Sequence, residues 1–173
     1  MRKAFAIAGS AIFLFIAPGF VAGWVPWWIS HWRIEASFFG LPLFRFVGGL
    51  LIVPGIIGLL DSFARFALRG LGTPAPVFPT KHLVVSGLYR FVRNPMYVAV
   101  VMTILGQGMI FGSVALLAYG GLVWLLFHLF VLFYEEPKLG RSFPSDYQSF
   151  CAEVPRWIPC FTPPRSRAGA GSR

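Results

Sequence analysis

Ser86-Gly87-Leu88-Tyr89-Arg90-Phe91-Val92-Arg93-Asn94-Pro95-Met96-Tyr97 is a polar, cationic run set between apolar segments. Its residue types suit the binding of a charged ligand. Gly87 frees the backbone, Arg90 and Arg93 bring charge, and Asn94-Pro95 marks a turn into the next apolar run. Farther along, Glu135-Glu136 sets two carboxylates side by side in a chain with only six acidic residues. Tyr89 and Tyr97 can pack against a ring or a sulfonium, and the carboxylates can accept hydrogen bonds from ammonium or hydroxyl groups. The competing reading is an ordinary solvated boundary in which Arg90, Arg93 and the glutamates pair with one another.

The rest of the chain has to position these groups. Of its 173 residues, 57% are hydrophobic and only 12% charged, and the mean hydropathy is +0.71. Those values point to an all-α, polytopic integral membrane protein. The net charge of +9 raises the question of nucleic acid, but the arginines cluster at segment ends and not on one soluble face. Cys151 and Cys160 lie nine positions apart with no Cys/His cluster near them, so we expect unbridged thiols and no metal site.

Four spans are expected. The first runs from Ala4 to about Ile29, follows Met1-Arg2-Lys3, and closes on Trp24, Trp27, Trp28 and Trp32, which read as an interfacial aromatic belt. A cleaved signal peptide is the alternative for this segment. The second runs from about Leu41 to Leu60, with Gly48, Gly49, Gly55 and Gly58 permitting close helix approach. Residues 65–85 form a connection rich in turn formers. A third span from Pro95 to Phe111 and a fourth from about Val114 to Tyr134 are joined by Gly112-Ser113 alone, which predicts an antiparallel hairpin. Gly106-Gln107-Gly108 reads as a packing site, because GxG without a strand-to-helix context is a weak phosphate signal. The chain thus divides into a two-span region (1–64), a core of connection, hairpin and C-terminal cap (65–162), and a disordered tail (163–173).

Thirteen of the fifteen Lys and Arg residues fall on one side of this four-span arrangement. The positive-inside rule then places both termini, the middle connection and the cap in the cytoplasm, with a bacterial inner membrane as the expected location. Topology accounts for the charge, and nucleic acid is not needed as a partner. The hairpin carries the 86–97 run and Glu135-Glu136 to the same cytoplasmic end. Carboxylates at a helix C-terminus oppose the macrodipole by about 0.3–1 kcal/mol each, so they call for cationic partners.

Lys81-His82-Leu83-Val84-Val85-Ser86-Gly87-Leu88-Tyr89, Arg93-Asn94-Pro95-Met96-Tyr97, Glu135-Glu136, Tyr147 and Val154-Pro155-Arg156-Trp157-Ile158-Pro159 together resemble the isoprenylcysteine carboxyl methyltransferase family. More broadly they resemble the membrane methyltransferases that include the phospholipid N-methyltransferases. The resemblance covers about half the chain, from Gly72 to Pro159. It implies S-adenosylmethionine as methyl donor, held by Lys81, His82, Leu83, Val84, Tyr89, Asn94, Pro95, Met96, Tyr97 and Glu135, with Glu136 as an addition. It also implies a lipophilic acceptor arriving from the bilayer with its reactive head at the cytoplasmic end.

Two positions depart from the family pattern. Asn94 stands where the family turn carries histidine; it keeps a donor and an acceptor but cannot carry positive charge. Val131 stands where the eukaryotic carboxyl methyltransferases carry an arginine suited to a substrate carboxylate, and Arg156 is the candidate to replace it in catalysis. Methyl transfer is a displacement at carbon, driven by alignment and desolvation of the nucleophile. A carboxylate acceptor needs no general base, whereas a protonated amine does, and no residue is an evident dedicated base. Carboxyl O-methylation of an isoprenylcysteine-like substrate is therefore the first expectation, with lipid N-methylation the alternative. An NADPH-dependent sterol-type reductase is disfavoured by the short chain. A non-enzymatic membrane scaffold differs from both in that it binds no donor.

Overall fold

The computed structural model describes residues 16–69 and 86–160, with side chains for all but 66–69. The described residues are all-helical with no strand. Long apolar runs leave the backbone no partner but itself in a bilayer, which is why helix is the uniform outcome. The first described segment passes from a π-helical turn, Phe20–Trp24, into α1, Val25–Ser30, and ends at His31 in the left-handed region. Trp24, Trp27, Trp28 and Trp32 are exposed, as an interfacial belt requires.

Helix α2, Leu43–Arg69, carries Pro54 inside it. Helices α3, Pro95–Phe111, and α4, Val114–Phe130, follow. A second π-helical turn, Val131–Glu135, leads from α4 into α5, Glu136–Ser142, and α6, Pro144–Glu153, completes the cap. Two helical stretches are long and apolar enough to cross a bilayer: Leu43–Arg65 with 23 residues and Val114–Ser142 with 29. Helix α3 is apolar but has 17 residues. At about 1.5 Å per residue it reaches roughly 25 Å, short of the ~30 Å hydrocarbon core. Of the four expected spans, the second and fourth therefore meet the length needed to cross. The expected first span begins among residues outside the described ones, as do much of the 65–85 connection and the 163–173 tail.

The predicted hairpin is present. Gly112 ends α3 at φ +74° with its N–H bonded to Gly108 O, and the Ser113 hydroxyl accepts from the Leu116 amide at 3.4 Å to cap α4. Pairings of Gly108 with Leu117, Gly120 with Leu105 and Tyr97 with Phe127 run in opposite directions along the two helices, so they are antiparallel.

Helix α3 is the centre of the core. Ala99, Val100, Val101 and Ile104 pack with Leu59 and Phe63 of α2, Val123 of α4 and Ala22. The approach of α2 to α3 is set by glycine: a Cβ on Gly48 would lie 2.7 Å from Gly106 O, and one on Gly106 would lie 2.7 Å from Gly48 O. The packing role expected for Gly106-Gln107-Gly108 is thus what the geometry shows. Gln107 has a second task. The π-helical turn at 20–24 leaves carbonyls to be satisfied from outside. Gln107 Nε2 donates to Ala22 O at 2.7 Å, and the Tyr119 hydroxyl donates to Val21 O at 2.9 Å. Gln107 Oε1 in turn accepts from Trp32 Nε1 at 3.2 Å.

Gln107→Leu is therefore expected to cost about 1–3 kcal/mol, because it keeps the volume but orphans a buried carbonyl. A thermal unfolding midpoint in detergent equal to that of the unsubstituted protein would contradict this account.

Candidate functional site

The turn that carries Tyr89 is held from beneath by the end of α2. Asp61 and Arg65 form an ion pair at 2.8 Å with i,i+4 spacing, and Asp61 also faces the Leu88 amide. Gly87 adopts φ +61° directly against the Arg65 guanidinium, where a Cβ would overlap it. Only glycine suits both the dihedral and the space. Tyr89 then turns inward, 8% exposed, with its hydroxyl facing the buried Ser62. Burial, followed by the nearby Glu135 carboxylate, pushes the Tyr89 phenol well above its usual range, so it remains a neutral donor at all working pH values.

Pro95 occupies the first position of α3, where its fixed φ and missing N–H are tolerated, and Asn94 stands at the N-cap position without a side-chain capping bond. Met96 packs on the core and Tyr97 lies two residues inside the helix. Tyr97 stacks obliquely on Phe127 of α4 with ring centroids 4.6 Å apart. Its hydroxyl donates to Glu135 Oε2 at 3.0 Å. Glu135 is largely shielded from water and lies near Glu136 and Lys138. The Ser86 hydroxyl is buried without a hydrogen-bond partner among the described residues.

Glu136 faces a different set of groups. Its Oε1 accepts from Arg93 Nη1 at 3.1 Å and from Arg156 Nε at 2.7 Å, while its Oε2 accepts from Arg156 Nη2 at 2.9 Å. These bonds hold Arg156 even more firmly cationic than its usual range. Arg93 Nη1 also donates to Cys151 Sγ at 2.8 Å. Asn94 Nδ2 donates to Arg156 O at 3.2 Å. Cys151 and Cys160 form no disulfide.

The structure thus brings Tyr89, Asn94, Pro95, Met96, Tyr97, Glu135, Glu136 and Arg156 to one end of the hairpin. Lys81, His82, Leu83 and Val84 lie outside the described residues. Arg156, expected to receive a substrate carboxylate, has its fork occupied by Glu136. Val131, at the position of the family arginine, is 1% exposed at the start of the π-helical turn. Sequence reasoning passed over Asp61, Ser62 and Arg65. The i,i+4 spacing of Asp61 and Arg65 was the available signal, since it predicts an ion pair at the end of the second span. It also passed over His128, whose Nδ1 accepts from Trp157 Nε1 at 3.0 Å. No local pattern announces that contact.

The donor set fits the polar parts of a sulfonium nucleoside. The Glu135 carboxylate can take an ammonium or ribose hydroxyl, the buried Ser86 hydroxyl has no partner among the described residues, and two tyrosine rings can cover a cationic or aromatic surface. No group of His, Cys, Asp and Glu able to hold a metal ion occurs among the described residues.

A family model described as phospholipid methyltransferase matches residues 43–146, more than half of the chain. The matched region runs from the start of α2 into α6 and holds every element of the site except the 154–160 segment. No curated protein and no solved structure matches the chain. With 43–146 spanning both the Tyr89–Tyr97 run and the glutamate pair, the chain belongs to the phospholipid methyltransferase family of membrane methyltransferases, related to the isoprenylcysteine carboxyl methyltransferases.

Proposed function

We propose that the protein transfers a methyl group from S-adenosylmethionine to the polar head of a lipophilic acceptor at the cytoplasmic end of the α3–α4 hairpin. The observation that carries this reading is the Glu135 carboxylate, held by Tyr97 through Oε2 beside the buried Tyr89. When bound, S-adenosylmethionine supplies an electrophilic methyl on a sulfonium. The chain supplies placement. Glu135 offers its carboxylate to an ammonium or ribose hydroxyl, and the Tyr97 bond fixes the rotamer in which it does so. Tyr89 and Tyr97 present neutral, electron-rich faces that stabilise a sulfonium without quenching it by ion pairing. Lys81, His82, Leu83 and Val84 extend the same site on the family pattern.

The exposed apolar faces of α2 and α4, including Leu50, Val53, Ile57, Leu122, Leu125 and Leu126, suit contact with lipid tails. A four-span arrangement with both termini and the cap in the cytoplasm accords with the distribution of Lys and Arg. Transfer is then an alignment problem, in which the apolar surroundings strip water from the acceptor head.

The pairing of both Arg93 and Arg156 with Glu136 supports an amine head over a carboxylate, since each guanidinium already faces a carboxylate. Membership of the phospholipid methyltransferase family supports the same choice. Removal of an ammonium from water lowers its pKa and favours the neutral nucleophile, which reduces the need for a dedicated base.

Incubation of the purified protein with methyl-labelled S-adenosylmethionine and total lipid extract is expected to yield an organic-soluble labelled product that survives mild base. Release of volatile methanol under mild base would identify a methyl ester and shift the acceptor to an isoprenylcysteine-like carboxylate. No label in any lipid fraction would refute the proposed activity. Tight NADPH binding in preference to S-adenosylmethionine would replace it with a reductase.

A further inference from the structure

The family resemblance implies Glu135 as a donor ligand, with Glu136 as an addition. Their surroundings separate them. The π-helical turn Val131–Glu135 inserts an extra residue into the helical phase, a device that recurs at functional sites. Glu135 turns to Tyr97, from which its Oε2 accepts at 3.0 Å, and away from both arginines. Glu136 accepts three charge-assisted hydrogen bonds, from one guanidinium of α3's leading turn and one of the C-terminal segment. A carboxylate has about four lone-pair positions, so little of Glu136 is left for a ligand.

Residues 154–160 form no helix or strand, yet they are fastened along their length. Val154 is sunk in the small core made by Tyr147 and Phe150. Pro155 O accepts from the Arg93 amide at 2.9 Å, Arg156 O accepts from Asn94 Nδ2 at 3.2 Å, and the Cys160 amide donates to Phe91 O at 2.9 Å. Trp157 Nε1 donates to His128 on α4 at 3.0 Å. This strap therefore ties the Phe91–Asn94 turn, which sets the start of α3 and hence Tyr97, to α4 and α5. It lies outside the 43–146 region that the family model matches.

We infer that Glu136 is a positioning residue: it pins the 154–160 strap against the Phe91–Asn94 turn through Arg156 and Arg93, and so fixes Tyr97 and Glu135 without itself touching the methyl donor. Asn94, in the family's histidine position, serves the same strap through the Arg156 carbonyl. The inference rests on the proposed donor site only for the binding arm of its test.

The test compares full-length Glu136→Gln, Arg156→Gln, the double variant and Trp157→Phe, the last of which loosens the strap and leaves Glu136 intact. Two quantities are read: hydrogen–deuterium exchange over 91–94 and 154–160, and equilibrium binding of labelled S-adenosylmethionine. Each single variant at 136 and 156 is expected to speed exchange in both segments and to weaken donor binding by about tenfold, as loss of a charged hydrogen bond does. The double variant is expected to be no weaker than the worse single one, because both act through one strap. Trp157→Phe is expected to shift both quantities the same way by about half as much on a logarithmic scale, having lost a neutral bond. Additive losses of affinity, or a Glu136→Gln protein that binds weakly while its strap exchanges at the normal rate, would overturn the inference. A protein that binds no donor in any form refutes the proposed function, and the exchange measurement still decides whether Glu136 holds the strap.

Discussion

Glu135→Gln is expected to weaken S-adenosylmethionine binding by about ten- to a hundredfold in a protein that remains folded. The size follows from the chemistry of one oxygen. A hydrogen bond to a charged group contributes about 1.5–3 kcal/mol net, and each ~1.4 kcal/mol is a factor of ten in affinity. Gln keeps the shape of Glu and one carbonyl oxygen, so the Tyr97 hydroxyl, now 3.0 Å from Glu135 Oε2, still has an acceptor. Only the charge and one acceptor oxygen are lost. Tyr97→Phe removes a neutral donor that acts on Glu135 from behind, and its effect is expected to be smaller, about three- to tenfold. The order Glu135→Gln worse than Tyr97→Phe, with both thermal midpoints near that of the unsubstituted protein, identifies Glu135 as a donor ligand. Unchanged affinity in folded Glu135→Gln would remove it from the site and favour a scaffold.

The convergence behind that prediction was legible before any coordinates. Two apolar runs joined by Gly112-Ser113 have to turn back on each other, which returns Glu135-Glu136 to the level of Arg93 and Tyr97. The Tyr97–Glu135 and Arg93–Glu136 bonds are the outcome. Of the two readings weighed for the charged groups, the pairing is the one seen directly. Arg93 and Glu136 pair across the hairpin as an ordinary boundary would have it, while Glu135 turns away from both arginines to Tyr97.

What stayed hidden depends on contacts between segments distant in sequence. The π-helical turn at 131–135 has no local signature, because its extra residue is set by how α4 packs against α3 and the cap. Without it the two glutamates read as one pair. The bond from Trp157 to His128 joins an irregular strap to an apolar helix 29 positions away, and neither side shows a periodicity that would pair them. Arg156 looked available for a substrate because its partner could be known only from the fold.

Gly48 and Gly49 are adjacent in α2, equal in any propensity scale, and expected to respond to alanine with opposite signs. A Cβ on Gly48 would stand 2.7 Å from Gly106 O, 2.8 Å from Ile110 Cγ1 and 3.0 Å from Ile110 N. Two of those three atoms are backbone, so the conflict cannot be relieved by rotating a side chain; α2 and α3 have to part. Overpacking of this kind costs about 1–3 kcal/mol, and parting the helices also loosens the α2 end that supports Tyr89 through Ser62 and Asp61. Around Gly49 nothing lies within 4 Å. Alanine there removes backbone freedom from the unfolded chain and is worth up to about 1 kcal/mol in a helix interior. In detergent, Gly48→Ala is therefore expected to lower the thermal midpoint and weaken donor binding together, and Gly49→Ala to leave binding alone with a midpoint at or above that of the unsubstituted protein. Equal midpoints for the two variants would mean that α2 and α3 are not in glycine contact. The support of Tyr89 from α2 would then fall with that contact, because the same face of α2 that meets Gly106 leads directly into Gly55, Ser62 and the turn at Gly87.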